Sequence, residues 1–416
     1  MPLAVPLDPV ETLQQLIAIP SVNPLGREEL GAIYGEGRLT DYLQSVCERL
    51  GWRWLRQEVH PGRENLLAVV SGSPTVADGG ELQLWDVHQD TVAVDGMSID
   101  PFGGELREGR VYGRGACDNK GPMAAMIAAL SRLDTAKPSA SRPTIVIAFP
   151  VNKECGFTGA QALCELWRPD RQLDAHVKSG TISAAEMFPR PPDVAIVAEP
   201  TDLNVVVAHQ GMVRWRCHAT GRAAHSSRPD EGINAIYAMS RVAEAVEAYQ
   251  KQLAAGREHP LCGSPAVCVT TIEGGVGINT VPDRATISID RRIGPGESPA
   301  SAFADLVRYI AQHASVGVAR LDHDPPFMKS SGLSDANNGP LAERLVQLVR
   351  AAGRVSELVG APYGTDAAAI GASDVPTVVF GPGSVRQAHT ADEFMAVREL
   401  ELGAELYHRI ACDGLR

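Results

Sequence analysis

Among the eight cysteines of this chain (47, 117, 155, 164, 217, 262, 268 and 412), no two form a Cys-x-x-Cys pair. That absence removes the familiar zinc-ribbon and dithiol patterns. The thiols sit mostly in apolar runs, as at Cys268 between two valines. Such placement fits reduced core thiols in a cytoplasmic chain rather than a disulfide framework. No stretch approaches 18 apolar residues without a charge, so no segment is expected to span a membrane. Met1 to Val10 lacks a basic stretch followed by a long apolar one, and no signal peptide is expected. Positive charge is scarce too: 38 Lys and Arg stand against 50 Asp and Glu, a net of −12. An acidic balance argues against nucleic-acid or anionic-membrane partners and mainly favours solubility. Internal repeats and low-complexity tracts are absent.

What remains is an ordinary globular composition, 44% hydrophobic and 21% charged over 416 residues. That length predicts two or more domains. Helical spacing of apolar residues predicts helices over 8–20 and 36–51, the second carrying Leu39, Tyr42, Leu43, Val46 and Leu50. Strand-like runs follow at 65–70, 82–87, 144–150 and 194–198, with an apolar small-residue helix over 121–133. Strands alternating with helices predict a three-layer α/β/α domain with a largely parallel sheet. The texture changes after Asp202. Runs at 205–209 and 211–220 alternate like exposed-edge strands, and strands at 266–273 and 284–291 lie between helices at 232–254 and 301–313. This pattern predicts an α+β insert with an antiparallel sheet. Core-like segments then return at 341–352, 377–380 and 397–410. The expected organisation is a split domain, 1–210 and 327–416, interrupted by an insert over 211–326.

Five side chains stand in contexts that could carry chemistry. His88 ends a strand, and Asp90, two residues on, can point to the same side. Asp90 could then accept from one imidazole nitrogen and leave the other for a metal. Asp118 lies in a glycine-bracketed turn (Gly113, Gly115, Gly121) before the small-residue helix, where it could equally be a helix cap. Glu154 follows a strand end and opens a helix, whose N-terminus also favours a carboxylate. Glu199 ends another strand, fixed by Pro200, and a carboxylate at a buried strand tip calls for a partner. His389 follows the glycine loop from Gly381. Singly, each has a purely structural reading. Together they gather at one sheet edge, where open α/β folds build their sites. Two imidazoles and three carboxylates suit zinc, cobalt or manganese rather than a sulfur-ligated ion.

With these motifs in order, the chain resembles the aminoacylase, carboxypeptidase G, acetylornithine deacetylase and succinyl-diaminopimelate desuccinylase family of di-zinc amidohydrolases, most nearly its acetylornithine deacetylase-like members. The likeness runs from Asp8 to about Ile410. It implies that Asp118 bridges two divalent metals and precedes a cis peptide to Asn119. His88 and Glu199 would complete one metal site, and Glu154 and His389 the other. It implies a lid and homodimerisation role for the insert. There, the loop from Gly221 to Pro229 would send His225 to a partner's active site to polarise the scissile carbonyl. The Gly274–Pro282 stretch would supply Asn279 to the substrate, and Arg292 of Asp290–Arg292 would grip its carboxylate. Gly364, Thr365 and Asp366 would line the pocket. The implied substrate is an N-acyl amino acid or a dipeptide-like molecule.

Two positions depart from the family pattern. Asn152-Lys153-Glu154 stands where Asp-Glu-Glu is usual, so Lys153 occupies the place of the general base. General acid–base help is typically worth about 10²–10⁴-fold. A protonated Lys cannot accept a proton, while burial near metal charge would favour a neutral amine that can. Three readings therefore stay open: a deacylating hydrolase, a relative that binds metal and ligand with little turnover, and a dimeric scaffold without metal. Cys117 stands where serine is usual, and a thiol beside a metal invites oxidation.

Overall fold

The computed structural model describes the chain apart from residues 1–4, 26–30, 135–136, 138, 169–175, 257 and 416. The first four residues of the stretch read for a signal peptide thus lie outside the described residues. Two compact units emerge: Met1–Val207, Asp335–Val359 and Thr365–Arg416 form the larger, and Ala208–Ser334 with Gly360–Gly364 the smaller. The smaller unit is wider than 211–326 because backbone pairing draws in its flanks. His209 bridges to Leu333, and Gln210 N–H donates to Ala361 O at 3.0 Å.

A nine-stranded sheet runs in the order Leu358–Ala361, Val205–His209, Thr377–Val379, Val194–Val197, Leu82–Asp86, Thr144–Phe149, Arg63–Val70, Arg53–His60, Val177–Gly180. It is mixed rather than largely parallel. The strands Thr377–Val379, Val194–Val197, Leu82–Asp86 and Thr144–Phe149 are mutually parallel, whereas Arg63–Val70 and Arg53–His60 pair antiparallel. The four parallel strands are buried almost throughout, as strands covered on both faces must be. Parallel direction has a further consequence. All four end at the same sheet edge, so the turns after them converge there.

The small-residue helix forms over Lys120–Ser131. Every residue from Lys120 to Leu130 is buried, and apolar character all round marks a core helix. It packs against helices Pro9–Ile17 and Val397–Asp413. Trp85 and Tyr407 close this core, their rings 5.3 Å apart.

In the smaller unit, Gly211–Thr220 lies inside its sheet, between Arg284–Ile293 and Arg320–His323, and is no exposed edge. Val205–His209 is buried at every position. In Gly211–Thr220 one face packs Val213, Trp215 and Cys217 on Met239, Ile287 and Leu306. Its alternation therefore marks burial on one face rather than an edge. Cys268 is exposed, whereas Val267 and Val269 turn inward. A period of two places it on the opposite face from its neighbours. None of the eight cysteines is bonded to another. Among the described residues, no helix is long and apolar enough to cross a membrane.

Candidate metal centre

His88, Glu154 and Glu199 follow the C-terminal ends of three adjacent parallel strands, Leu82–Asp86, Thr144–Phe149 and Val194–Val197. Asp118 reaches the same edge from the turn before the core helix. Its neighbour Asn119 donates from Nδ2 to Ala198 O at 2.6 Å, which ties that turn to the Glu199 strand. The peptide between Asp118 and Asn119 is cis. Glu393 fixes the turn from the other side. Its carboxylate accepts from the N–H groups of Gly115, Cys117 and Asp118 at 2.9–3.2 Å and pairs with buried Arg114 at 2.5 Å. Gly115 has φ +83°, and a Cβ there would lie 2.9 Å from Thr91 Cγ2, so only glycine makes this bend.

The two carboxylate oxygens of Asp118 face different histidines. Oδ1 lies 3.1 Å from His88 Nε2, and Oδ2 lies 3.2 Å from His389 Nε2. His389 Nε2 is also 3.3 Å from Glu154 Oε1, and His88 Nε2 is 3.9 Å from Glu199 Oε1. His88, Asp118 and Glu154 each offer a donor atom within 4.8 Å of the other two. Zinc bonds of about 2.0–2.2 Å at tetrahedral angles separate donors by roughly 3.3–3.6 Å. The observed spacings come near that range, and the donors are the nitrogen and oxygen types that borderline divalent ions take. The residues fit a divalent metal. His88 and Glu199 are buried, whereas the His389 side chain is 49% exposed at the rim.

At His88 Nδ1 the backbone of Asp90 lies nearer than its carboxylate. His88 Nδ1 contacts the backbone carbonyl of Asp90 at 2.9 Å, while the Asp90 carboxylate is 3.6 Å from that nitrogen. The carbonyl orients the ring. The carboxylate instead accepts from Asn23 Nδ2 (2.7 Å) and from the N–H groups of Lys153 (3.0 Å) and Glu154 (2.9 Å). Burial works against its charge, but the imidazole and these donors hold its pKa down to about 2. Asp90 thus positions both His88 and the Lys153–Glu154 turn. Asn152, at φ +62°, shapes the same turn and donates its N–H to Glu36 Oε1 at 3.1 Å. Glu36 is fully buried and paired with Arg63.

Lys153 lies within the ligand cluster. Its Nζ is 3.0 Å from Glu199 Oε1, 3.7 Å from Asp118 Oδ1 and 3.9 Å from Glu154 Oε2. Glu199 Oε1 faces this ammonium as a close, buried ion pair. Burial disfavours the ammonium, but Asp118, Glu154 and Glu199 outweigh it and raise the Lys153 pKa well above its usual value. The Cys117 thiol is buried and donates to Ser384 O at 3.2 Å. Burial pushes its pKa well above the usual thiol value, which works against the oxidation expected from sequence.

Of the proposed pocket residues, Thr365 and Asp366 are buried in the larger unit. Neither oxygen of Asp366 has a hydrogen-bond partner among the described residues, and burial raises its pKa to about 7. Gly364 belongs to the smaller unit, as do His225, Asn279 and Arg292. There Ala224–His225 pairs with Thr280–Val281, and Ser226 N–H donates to Asn279 O at 3.0 Å, so two motifs far apart in sequence adjoin. His225 and Asn279 are exposed. Arg292 is held by Asp290 at 2.9 Å, while Arg291 is buried against Glu297 at 2.6 Å. Sequence reasoning missed Glu36, Arg63 and Arg114 altogether. Nothing local marks them, since each matters through a partner distant in sequence.

Residues 84–413 match the model of peptidase family M20/M25/M40. The chain belongs to this family. It is thereby a metal-dependent hydrolase of the M20 kind. An acetylornithine deacetylase of Proteus mirabilis is 30% identical over 407 residues, covering 95% of this M20 chain and 94% of that protein. Among solved structures, a Staphylococcus aureus tripeptidase superposes with a TM-score of 0.74 at 19% identity, covering 98% of each chain. A dinuclear metal-binding M20 peptidase of Bacillus subtilis superposes with a TM-score of 0.66 at 14% identity, covering 98% of this chain and 97% of its own. These likenesses show the fold.

Proposed function

We propose that this M20 chain is a cytoplasmic amidohydrolase that removes the acyl group from an N-acyl amino acid, as an acetylornithine deacetylase does, with zinc as the first candidate metal and cobalt or manganese as substitutes. The observation that carries the reading is the gathering of His88, Asp118, Glu154, Glu199 and His389 at one sheet edge, with the two Asp118 oxygens turned to different imidazoles. Metal held by these residues supplies Lewis acidity and activation of water. The chain's own groups do the rest. His225 of a second copy donates to the oxygen that gains charge as the amide carbon becomes tetrahedral. Arg292 and Asn279 hold the substrate carboxylate, and Gly364, Thr365 and Asp366 line the pocket. The acidic balance of the sequence and the likeness to a deacetylase favour a small amino-acid derivative over a nucleic acid or a membrane.

Lys153 favours a second reading for turnover. As an ammonium, its Nζ can give a proton to the leaving amine but cannot take one from water. The chain then binds metal and ligand while hydrolysing slowly. A panel of N-acetyl, N-succinyl and N-formyl amino acids and dipeptides, assayed with zinc, cobalt and manganese on the native chain and on Lys153→Glu, tests both. A gain of about 10²–10⁴-fold in the variant, the usual worth of a general base, marks the native chain as base-deficient. A fall gives Lys153 a positive role in turnover. Hydrolysis by neither protein on any substrate would sink the deacylase reading.

A further inference from the structure

The ligand cluster has two sides, and one of them already holds a cation. Lys153 Nζ stands against Glu199 Oε1 and Asp118 Oδ1, the same two oxygens that His88 Nε2 faces. On the other side, Asp118 Oδ2 and Glu154 Oε1 lie 3.2 and 3.3 Å from His389 Nε2. Lys153 comes no nearer to Glu154 than 3.9 Å, and then to its other oxygen. We infer that the Lys153 ammonium takes the place of one metal, so that this chain binds a single divalent ion, on the Asp118–Glu154–His389 side.

Charge and position agree on this point. Asp118, Glu154 and Glu199 bring three negative charges, and Lys153 returns one positive. The remaining two negative charges are neutralised by one divalent cation. A Glu at position 153 would leave four, enough for two. The count covers the ligand carboxylates and Lys153; the Asp90 carboxylate, though ionised, is turned to Asn23 and two backbone N–H groups rather than to the ion. An ion bonded to Glu199 Oε1 would share that oxygen with an ammonium only 3.0 Å away. Like charges at such range repel strongly in a water-poor site. Lys153 cannot swing out cheaply either, because it is buried and a buried ammonium needs its carboxylates.

The inference rests on the chain being a metal-dependent hydrolase, and metal stoichiometry separates the two claims. The full-length chain, stripped of metal, is titrated with manganese or zinc, and ions per chain are counted by elemental analysis after gel filtration. Electron paramagnetic resonance of the manganese form reports whether two ions are coupled. One ion per chain and an uncoupled manganese spectrum are expected for the native protein. Two ions and a coupled spectrum are expected for Lys153→Glu. Lys153→Gln, which removes the positive charge without adding a carboxylate and guards against a misfolded first variant, is expected to take the second ion more weakly than Lys153→Glu. Two coupled ions in the native chain overturn the inference and leave the hydrolase reading intact. A count of one in both variants also overturns it, because Lys153 is then not what excludes the second ion. No ion in any of the three proteins removes both claims. One ion in the native chain and two in Lys153→Glu, without hydrolysis by either, upholds the inference and removes the hydrolase reading.

Discussion

The two faces of Asp118 use the same residue types and differ in one cation. On each, a histidine and a glutamate flank one carboxylate oxygen. The His88–Glu199 face is buried and carries Lys153; the Glu154–His389 face opens to solvent at His389. A ligand set of the right composition does not therefore guarantee a metal. The charge already in place decides how many ions the set accepts, and one side chain can change that number.

The largest expected effect comes from removing what the faces share. Asp118→Ala should abolish metal uptake, measured as ions per chain, and hydrolysis should fall with it. Retained metal would mean that the two faces are independent sites. A sharper contrast follows from the two glutamates. Glu154→Gln should lose the ion. Glu199→Gln should keep it but lose stability, by up to about 3–5 kcal/mol, because buried Lys153 is left without its nearest counter-charge. Metal counts and urea denaturation on both variants test this split, and equal metal loss would erase the difference between the faces. Asp90→Asn should weaken metal binding by roughly 10–100-fold, the usual cost of disturbing a group that orients ligands. It acts on the Glu154–His389 face through the Glu154 N–H that the carboxylate holds, and on His88 only through the carboxylate's 3.6 Å approach to Nδ1. Calorimetry of the variant measures it. The smallest effect is expected at Cys268→Ser in the smaller unit. An exposed strand position should change stability by no more than about 0.5 kcal/mol, and a larger shift would show that this face is covered in solution.

Much of the fold was legible because hydrophobic period is a local property. The helix over 120–131 and the strands ending near His88, Glu154 and Glu199 could be read from runs of a dozen residues or fewer. Strand direction could not, and the antiparallel pairing of Arg63–Val70 with Thr144–Phe149 made the sheet mixed. Alternation in 211–220 could mean an edge or a one-faced core, and only the partners on both sides settled it. At the site, residue types and glycine-bounded turns were enough to single out the five candidate ligands. The hold of Glu393 on the Asp118 turn, and of Asp90 on the Lys153–Glu154 turn, spans distances in sequence that no local pattern reports.

The sequence by itself determined which chemistry is at hand: two imidazoles, three carboxylates and a lysine beside one of them. Side-chain identity fixes donor type and charge before any folding. Tertiary structure alone decided where that lysine's charge goes. Three parallel strand ends and one turn bring Glu199, Asp118 and Glu154 to 3.0, 3.7 and 3.9 Å from Lys153 Nζ. The strength of a charge's interactions depends on distance and burial, and neither is written in the order of residues.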